Sequence, residues 1–460
     1  MRRRHGLGPG VFLSCILLGG CGTLQESAQE SAQESAQESA QESALESALE
    51  SALESAPLER RQELPAGPSG AASMPVIQPG VTQQPLPELP PPVQVLTPLP
   101  APPLIPPSPA LHGRALAEAL LPPSVRDRAG WAKDIAAAVE ALGLPGNKEN
   151  YCAAMAVTEQ VSSFQADPVV PGLAAIAWKE IETRRQRYHI PRLALDAALD
   201  RTSPNGRSYR QRIDSLRTEK QMSLLYGDII EGLPFGRQLF GRQLLSGYNP
   251  VRTGGPMQVS VAFAREHARD NAHAAALVRE AGGDVRSAVF SRKGGLYFGI
   301  AHLLDYPAIY QEARYRFADF NAGRYSSRNA AFQQALAQLA RVEMDLDGDL
   351  LDYGGQPSAT WQAARKLSRR LGLSDGEILA SLKLEKSEAF GRSPLYQKVM
   401  AMADGAAGRH LPREILPRIR LQSPKIHGKL STAWFAEKVD GRYQQCLQRA
   451  ANLAEAARER

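Results

Sequence analysis

Long apolar runs are scarce in this chain of 460 residues. Past the first twenty positions, no stretch is long and apolar enough to cross a bilayer. Segments alternating with a period of two, the mark of half-buried strands, are few, with MQVSVAF the best short one. Several catalytic signatures are missing too. There is no His-Glu-x-x-His, no glycine-rich phosphate loop and no Gly-x-Ser-x-Gly elbow. His267 and His273 stand six apart, which does not place them on one helical face. Asp345-Leu346-Asp347-Gly348-Asp349 has the carboxylate density of a calcium loop. Its glycine comes too early for an EF-hand and no Glu closes it, so it reads as a turn between helices. No metal and no cofactor is expected.

The N-terminus sets the compartment. MRRRH is a positively charged leader, and GPGVFLSCILLGG is a short apolar segment rich in small residues, the form of a secretory signal. Leu18-Gly19-Gly20-Cys21 follows, and it resembles the lipobox of bacterial lipoproteins. The resemblance implies cleavage after residue 20 and a lipid on Cys21. Gly22 in place of Asp then implies sorting to the outer membrane. Of the four cysteines, Cys15 leaves with the signal. Cys152 and Cys446 remain, and in an oxidising compartment they read as a disulfide closing a very long loop, or as two buried thiols.

Residues 21–56 form an acidic spacer in which QESA, then LESA, repeats eight times from Gln25 to Ala56. A period of four drifts around a helix of 3.6 residues per turn, so no apolar stripe forms and the segment reads as partly helical, not as a coiled coil. Residues 57–109 hold 17 of the 34 prolines and read as an extended linker. Together the two pieces make a disordered tether that reaches roughly 150–200 Å when extended. The rest, residues 110–460, holds 49 basic and 37 acidic residues, a net of +12. Such a balance suits a negatively charged partner such as a cell-wall polymer or phospholipid head groups. Nucleic acid is excluded by the secretion signal.

Helical periodicity dominates residues 110–460, as in VRDRAGWAKDIAAAVEALGL and CLQRAANLAEAARER, so the fold class is mainly α. Four stretches then fall into a telling order: VSSFQADP, GGPMQVS at 254–260, GLYFGIAHLLDY at 295–306 and FADFNAGRY at 317–325. This order resembles the lysozyme-like domain of soluble lytic transglycosylases. Within that group the chain is most similar, over residues 140–450, to a family of uncharacterised Gram-negative lipoproteins of about this length. The resemblance implies a lysozyme-like core with a large helical insertion at 165–253. It implies peptidoglycan glycan strands as the partner, and cleavage of a β-1,4 bond to a 1,6-anhydro product by one carboxylic acid that serves as acid and then as base. Met257 would pack beneath that acid, and Gln258 would bond the sugar. Ser162 and Phe164 would match the first motif. Asn321 would bridge backbone and substrate, Gly323 would allow a tight turn, and Phe320 would stand where the family has Tyr.

The first motif departs from the family at one position. Val161 stands where the catalytic Glu is expected, and valine cannot move a proton. Glu159 is the candidate acid, although it lies about 200° around the helix from residue 161 and reads equally as a surface Glu paired with a base. Asp167, Asp319 and Glu266 are the other acids near the motifs, each reading also as a solvated or ion-paired side chain. The alternative function is a catalytically silent wall-binding lipoprotein. The basic stretch RIRLQSPKIHGKL at 418–430 reads as a solvated loop with a buried edge, a wall-polymer contact being the other reading.

Overall fold

The first helix after the tether begins at Gly113. A computed structural model describes residues 111–460, apart from 188, 190, 232–248, 250, 309, 353–356, 422–429 and 460. The signal segment, Cys21, the repeat and the proline-rich linker lie outside the described residues, as does most of RIRLQSPKIHGKL.

Helices dominate. α1 (Gly113–Leu120), α2 (Arg128–Ala141) and α3 (Lys148–Ser162) open the order. α4 (Leu173–Arg187), α5 (Arg192–Leu199), α6 (Tyr209–Asp214) and α7 (Glu219–Glu231) follow. A two-stranded antiparallel ladder comes next, β1 (Thr253–Gly254) with β2 (Val259–Ser260), pairing Thr253 with Ser260 and Gly254 with Val259. Then come α8 (Val261–Asp270), α9 (Ala272–Glu280), α10 (Val285–Val289), α11 (Arg292–Leu304) and α12 (Ala313–Ala322). The chain closes with α13 (Ser326–Ala340), α14 (Ala359–Lys366), α15 (Ser368–Leu371), α16 (Asp375–Leu382), a 3₁₀ turn (Glu388–Arg392), α17 (Pro394–Ala407) and α18 (Thr432–Arg458).

MQVSVAF corrects the strand expectation. Only Val259 and Ser260 are in a strand, and Val261 starts α8. The Ser260 hydroxyl accepts from the Phe263 amide and caps that helix, so the local cap overrides the alternating pattern.

Three apolar cores are present among the described residues. The central one is built around α3, whose residues Tyr151 to Thr158 are all buried. Asn147 caps its start by accepting from the Asn150 amide at 2.9 Å, and alanines fill its middle, favouring helix and close approach. α1, α2, α8, α9, α10, α11, α12 and α18 supply the rest of this core. The second core belongs to α4–α7, the helices between the first two motifs, where Leu173, Ile181, Leu199, Ile213 and Leu225 pack together. A third lies in α13–α17, around Phe332, Phe390 and Tyr396, whose rings meet at centroid separations of 5.0 to 5.9 Å.

Cys152 in α3 and Cys446 in α18 are joined by a disulfide, with Cα atoms 5.5 Å apart across 294 residues of sequence. The bond clamps the longest helix to the central one, and Phe317 of α12 reinforces that face by meeting Tyr443 of α18 edge-on at 5.6 Å. Closing so long a loop removes much freedom from the unfolded chain. Cys446→Ser is therefore expected to lower the unfolding free energy by about 2–5 kcal/mol. Urea unfolding of parent and variant, with and without reductant, checks this, and reductant should move only the parent.

Candidate functional site

Two glycine-rich stretches make the best-defined junction near the motifs. The hairpin Gly254-Gly255-Pro256-Met257-Gln258 lies on α11, whose sequence opens RKGGLYFG. Met257 is fully buried, and a Cβ on Gly299 would stand 2.5 Å from its sulfur. Gly255 has φ +76°, and a Cβ there would meet the Val289 carbonyl at 2.1 Å. Only glycine allows the hairpin to sit this close to the helix.

Gln258 itself has φ 52°, which turns its side chain toward the insertion. Its Nε2 donates to Glu219 Oε2 at 2.7 Å, while Thr253 Oγ1 donates to its Oε1 at 3.0 Å. Glu219 is 4% exposed. It opens α7, and Thr218 before it takes part in a reciprocal cap with Gln221: Thr218 Oγ1 accepts from the Gln221 amide and Gln221 Oε1 accepts from the Thr218 amide. Thr218 Oγ1 also donates to Asp167 Oδ2 at 3.1 Å, and the Val170 amide donates to the Arg217 carbonyl at 2.8 Å. Thus the segment that follows VSSF runs beside residues 217–218, and the next residue, Glu219, reaches the glutamine of the second motif.

At the end of α3 the side chains diverge. Val161 is half-buried against the central core. The Ser162 hydroxyl turns back and donates to the Thr158 carbonyl at 3.0 Å. Ser163 and Phe164 both adopt the left-handed conformation, at φ 51° and 57°, and Phe164 then meets Trp131 edge-on at 5.4 Å. Glu159 points elsewhere: its Oε1 is 3.7 Å from Arg442 Nε, and it lines a cavity of about 570 Å³ with Ser163, Phe164, Gln165, Arg126 and Arg442. The sequence marks Glu159 as the nearest acid to the motif. The structure gives it a guanidinium neighbour and cavity walls of mixed polarity.

The last motif is held by Asp319, which has no exposed surface. It accepts from Tyr306 OH at 3.2 Å, Tyr310 OH at 2.5 Å, the Tyr325 amide at 2.8 Å and the Ser327 amide at 2.7 Å. Four donors and full burial make Asp319 a joint between α12, α13 and the 306–310 loop. Phe320 stands edge-on to His302 at 5.3 Å, and Phe263 flanks the same imidazole at 4.8 Å. Asn321 Oδ1 accepts from Thr432 Oγ1 at 2.8 Å, which ties the end of α12 to the start of α18. Gly323 closes α12 with φ 103°. Of the other acids near the motifs, Glu266 is exposed on α8 and Asp167 is bound to Thr218.

The motif residues therefore fall into separate neighbourhoods. Glu159 and Phe164 share a cavity wall; Gln258 joins Glu219; Asn321 joins Thr432. Sequence patterns did not reveal Glu219, because 39 residues separate it from Gln258. The only local signal was Thr-x-x-Gln at 218–221, which marks a helix start. Arg126 and Arg442 carried no signal at all.

Burial pushes the Asp319 carboxyl from 3.8 up to about 6, against the lowering effect of Tyr310, Ser327 and Tyr325. It pushes the His302 imidazole from 6.5 down to about 3. Folded Asp319 holds its proton more tightly than the unfolded chain does, so its contribution to stability falls as pH rises from about 4 to about 6. His302 acts oppositely, losing stability as pH falls from 6.5 toward about 3. The two slopes offset each other in the parent. In consequence, the difference in unfolding free energy between parent and Asp319→Asn should shrink as pH rises through the Asp319 window. Urea unfolding at a series of pH values checks this; a constant difference would refute it.

Comparison with known proteins places these residues in context. A sequence model described as a protein of unknown function, DUF1615, matches residues 124–449. The chain is 50% identical over 328 residues to the uncharacterized protein YaiW of Escherichia coli strain K12, covering 71% of this chain and 87% of that relative. No solved structure matches.

Proposed function

The chain belongs to the DUF1615 family of proteins of unknown function, and on that premise we propose that it is an outer-membrane lipoprotein acting on peptidoglycan glycan strands through a lysozyme-like, lytic transglycosylase cleft. The motif order, the mainly helical fold and the buried Met257 beneath α11 support the reading. The observation that carries it is the Gln258–Glu219 hydrogen bond at 2.7 Å. It sets a buried carboxyl beside the glutamine that a transglycosylase uses on sugar, and beside the chain that follows the first motif.

In this reading Glu219, not Glu159, takes the role that Val161 cannot. Its carboxyl gives a proton to the glycosidic O4 as the C1–O4 bond breaks. The carboxylate then takes the proton of the sugar's own 6-hydroxyl as O6 bonds to C1, which closes the 1,6-anhydro ring and restores the acid. No water is consumed and no second carboxylate is needed, unlike ordinary glycoside hydrolysis. A burial that excludes water is the setting this chemistry requires of its acid.

A second reading is favoured by Val161 and by the engagement of both ends of the Gln258 amide. In it the chain binds wall polymer without cleaving it. Incubating the full chain with purified sacculi and analysing muropeptides by mass spectrometry separates the two. The enzyme reading expects 1,6-anhydro products, a loss of roughly 100- to 10,000-fold in Glu219→Gln and little change in Glu159→Gln. Sacculus binding without product, with product gained in Val161→Glu, selects the binding reading. The anchor is tested apart: Cys21→Ser should move the protein from the membrane fraction to the soluble periplasm.

A further inference from the structure

A separate feature of the fold points to a small-molecule site. The cavity of about 570 Å³ lies between the end of α3, the α1–α2 connection and the middle of α18. Its volume falls within the range of small-molecule sites, about 300–1,000 Å³. Arg126 enters from the connection and Arg442 from α18, while Glu159, Ser163, Phe164 and Gln165 come from the end of α3. Among the described residues, Glu159 is the only acidic one on this wall.

The two guanidinium groups are poorly satisfied. Arg442 Nε is buried and has no hydrogen-bond partner among the described residues. The Glu159 oxygen at 3.7 Å is too far to accept from it, and Arg442 Nη1 reaches only the Lys438 carbonyl at 3.5 Å. Arg126 is exposed, and forms no ion pair or hydrogen bond among the described residues. Two more arginines are tied to the same region. Arg128 donates to the Glu118 carbonyl at 2.7 Å, and Arg449 Nε donates to the Leu120 carbonyl at 2.8 Å. Carbonyl partners satisfy these donors without neutralising their charge. Arg449 in turn feels Glu159 as an attracting charge and Arg128 as a repelling one, beneath the larger effect of burial, so all three share one electrostatic neighbourhood. Arg442 and Arg449 thus share the Glu159 carboxylate, with Arg126 on the same cavity wall.

Arginine presents a planar fork of donors that matches carboxylate and phosphate oxygens in pairs. The Arg442 guanidinium lines the cavity while its Nε lacks a partner among the described residues, so the group keeps donor capacity for such an oxygen. The backbone of the same wall is unusual as well, since Ser163 and Phe164 are consecutive left-handed residues with side chains. That conformation turns both of them, with Gln165, to the cavity wall, and such strain concentrates at ligand sites.

We propose that this cavity binds a small oxyanion-bearing molecule, held by Arg126 and Arg442, with Ser163 and Gln165 on its polar body and Phe164 against its apolar face. Glu159 is the resident counter-charge that the incoming oxyanion displaces from Arg442. The site uses neither Glu219 nor Gln258, so it is separable from the glycan-cleaving reading, although Phe164 belongs to the first motif of that reading.

Isothermal titration calorimetry of the full chain tests it with two probes, inorganic phosphate and N-acetylmuramic acid, and with N-acetylglucosamine as the uncharged control. Saturable binding of at least one charged probe is expected, with none of the control. Arg442→Gln and Arg126→Gln should each weaken it about tenfold. Glu159→Gln should tighten it about threefold or more, because a repelling charge is removed. Phosphate alone would assign a phosphate-bearing ligand, muramic acid alone a carboxylated sugar, and both a general oxyanion site. Arg126 makes no internal bond, so its variant reads binding without a folding change, and thermal unfolding verifies that for each variant. The proposal is overturned by no saturable heat with either probe up to about 10 mM, by equal binding of the control, or by parent-like binding in folded arginine variants.

Discussion

Enclosure of α3 is the constraint on which the rest of this fold depends. Eight successive residues, Tyr151 to Thr158, are buried, so neighbours must cover every face of the helix. α18 supplies one of those faces and is bonded to it through Cys152–Cys446. Where the neighbours end, the last turn of α3 must divide its side chains. Val161 stays against the core, Glu159 emerges toward Arg442, and the left-handed Ser163 and Phe164 reverse the chain toward the insertion. The chemistry open to this region follows from that division.

A second constraint is close approach. Met257 can lie flat against α11 because Gly299 offers no side chain there, and the hairpin behind it needs Gly255 to clear the Val289 carbonyl. The helices α4–α7 pack on a separate apolar core that Val251 and Phe290 join, and Glu219 links them to Gln258 of the hairpin. An acid from a distant stretch of sequence is thereby set beside the second motif. Asp319 ties the last motif together with four hydrogen bonds and no solvent contact.

Much of the architecture was legible in the residues. Alanine-rich helical periodicity marked the mainly α fold, and the long stretch between VSSF and GGPMQ is helical. MQVSVAF misled, since its alternation resembles a strand whereas Ser260, one hydroxyl, commits Val261 onward to a helix. Cys152 and Cys446 were an open pair in sequence, disulfide or two thiols; their separation in space decided between these.

What the sequence determined by itself is what short-range physics controls: helix periodicity, caps and turns, the repeat, the proline-rich stretch and the order of the four motifs. What only the tertiary structure decided is which charges meet. Glu219 and Gln258 are 39 residues apart, Glu159 and Arg442 nearly the length of the folded region apart. Glu159 stood closest to the motif in sequence, but a helix rotates each residue by about 100°, so adjacency along the chain carried it away from position 161. Electrostatic partnership depends on distance and burial in three dimensions, and no local pattern encodes either.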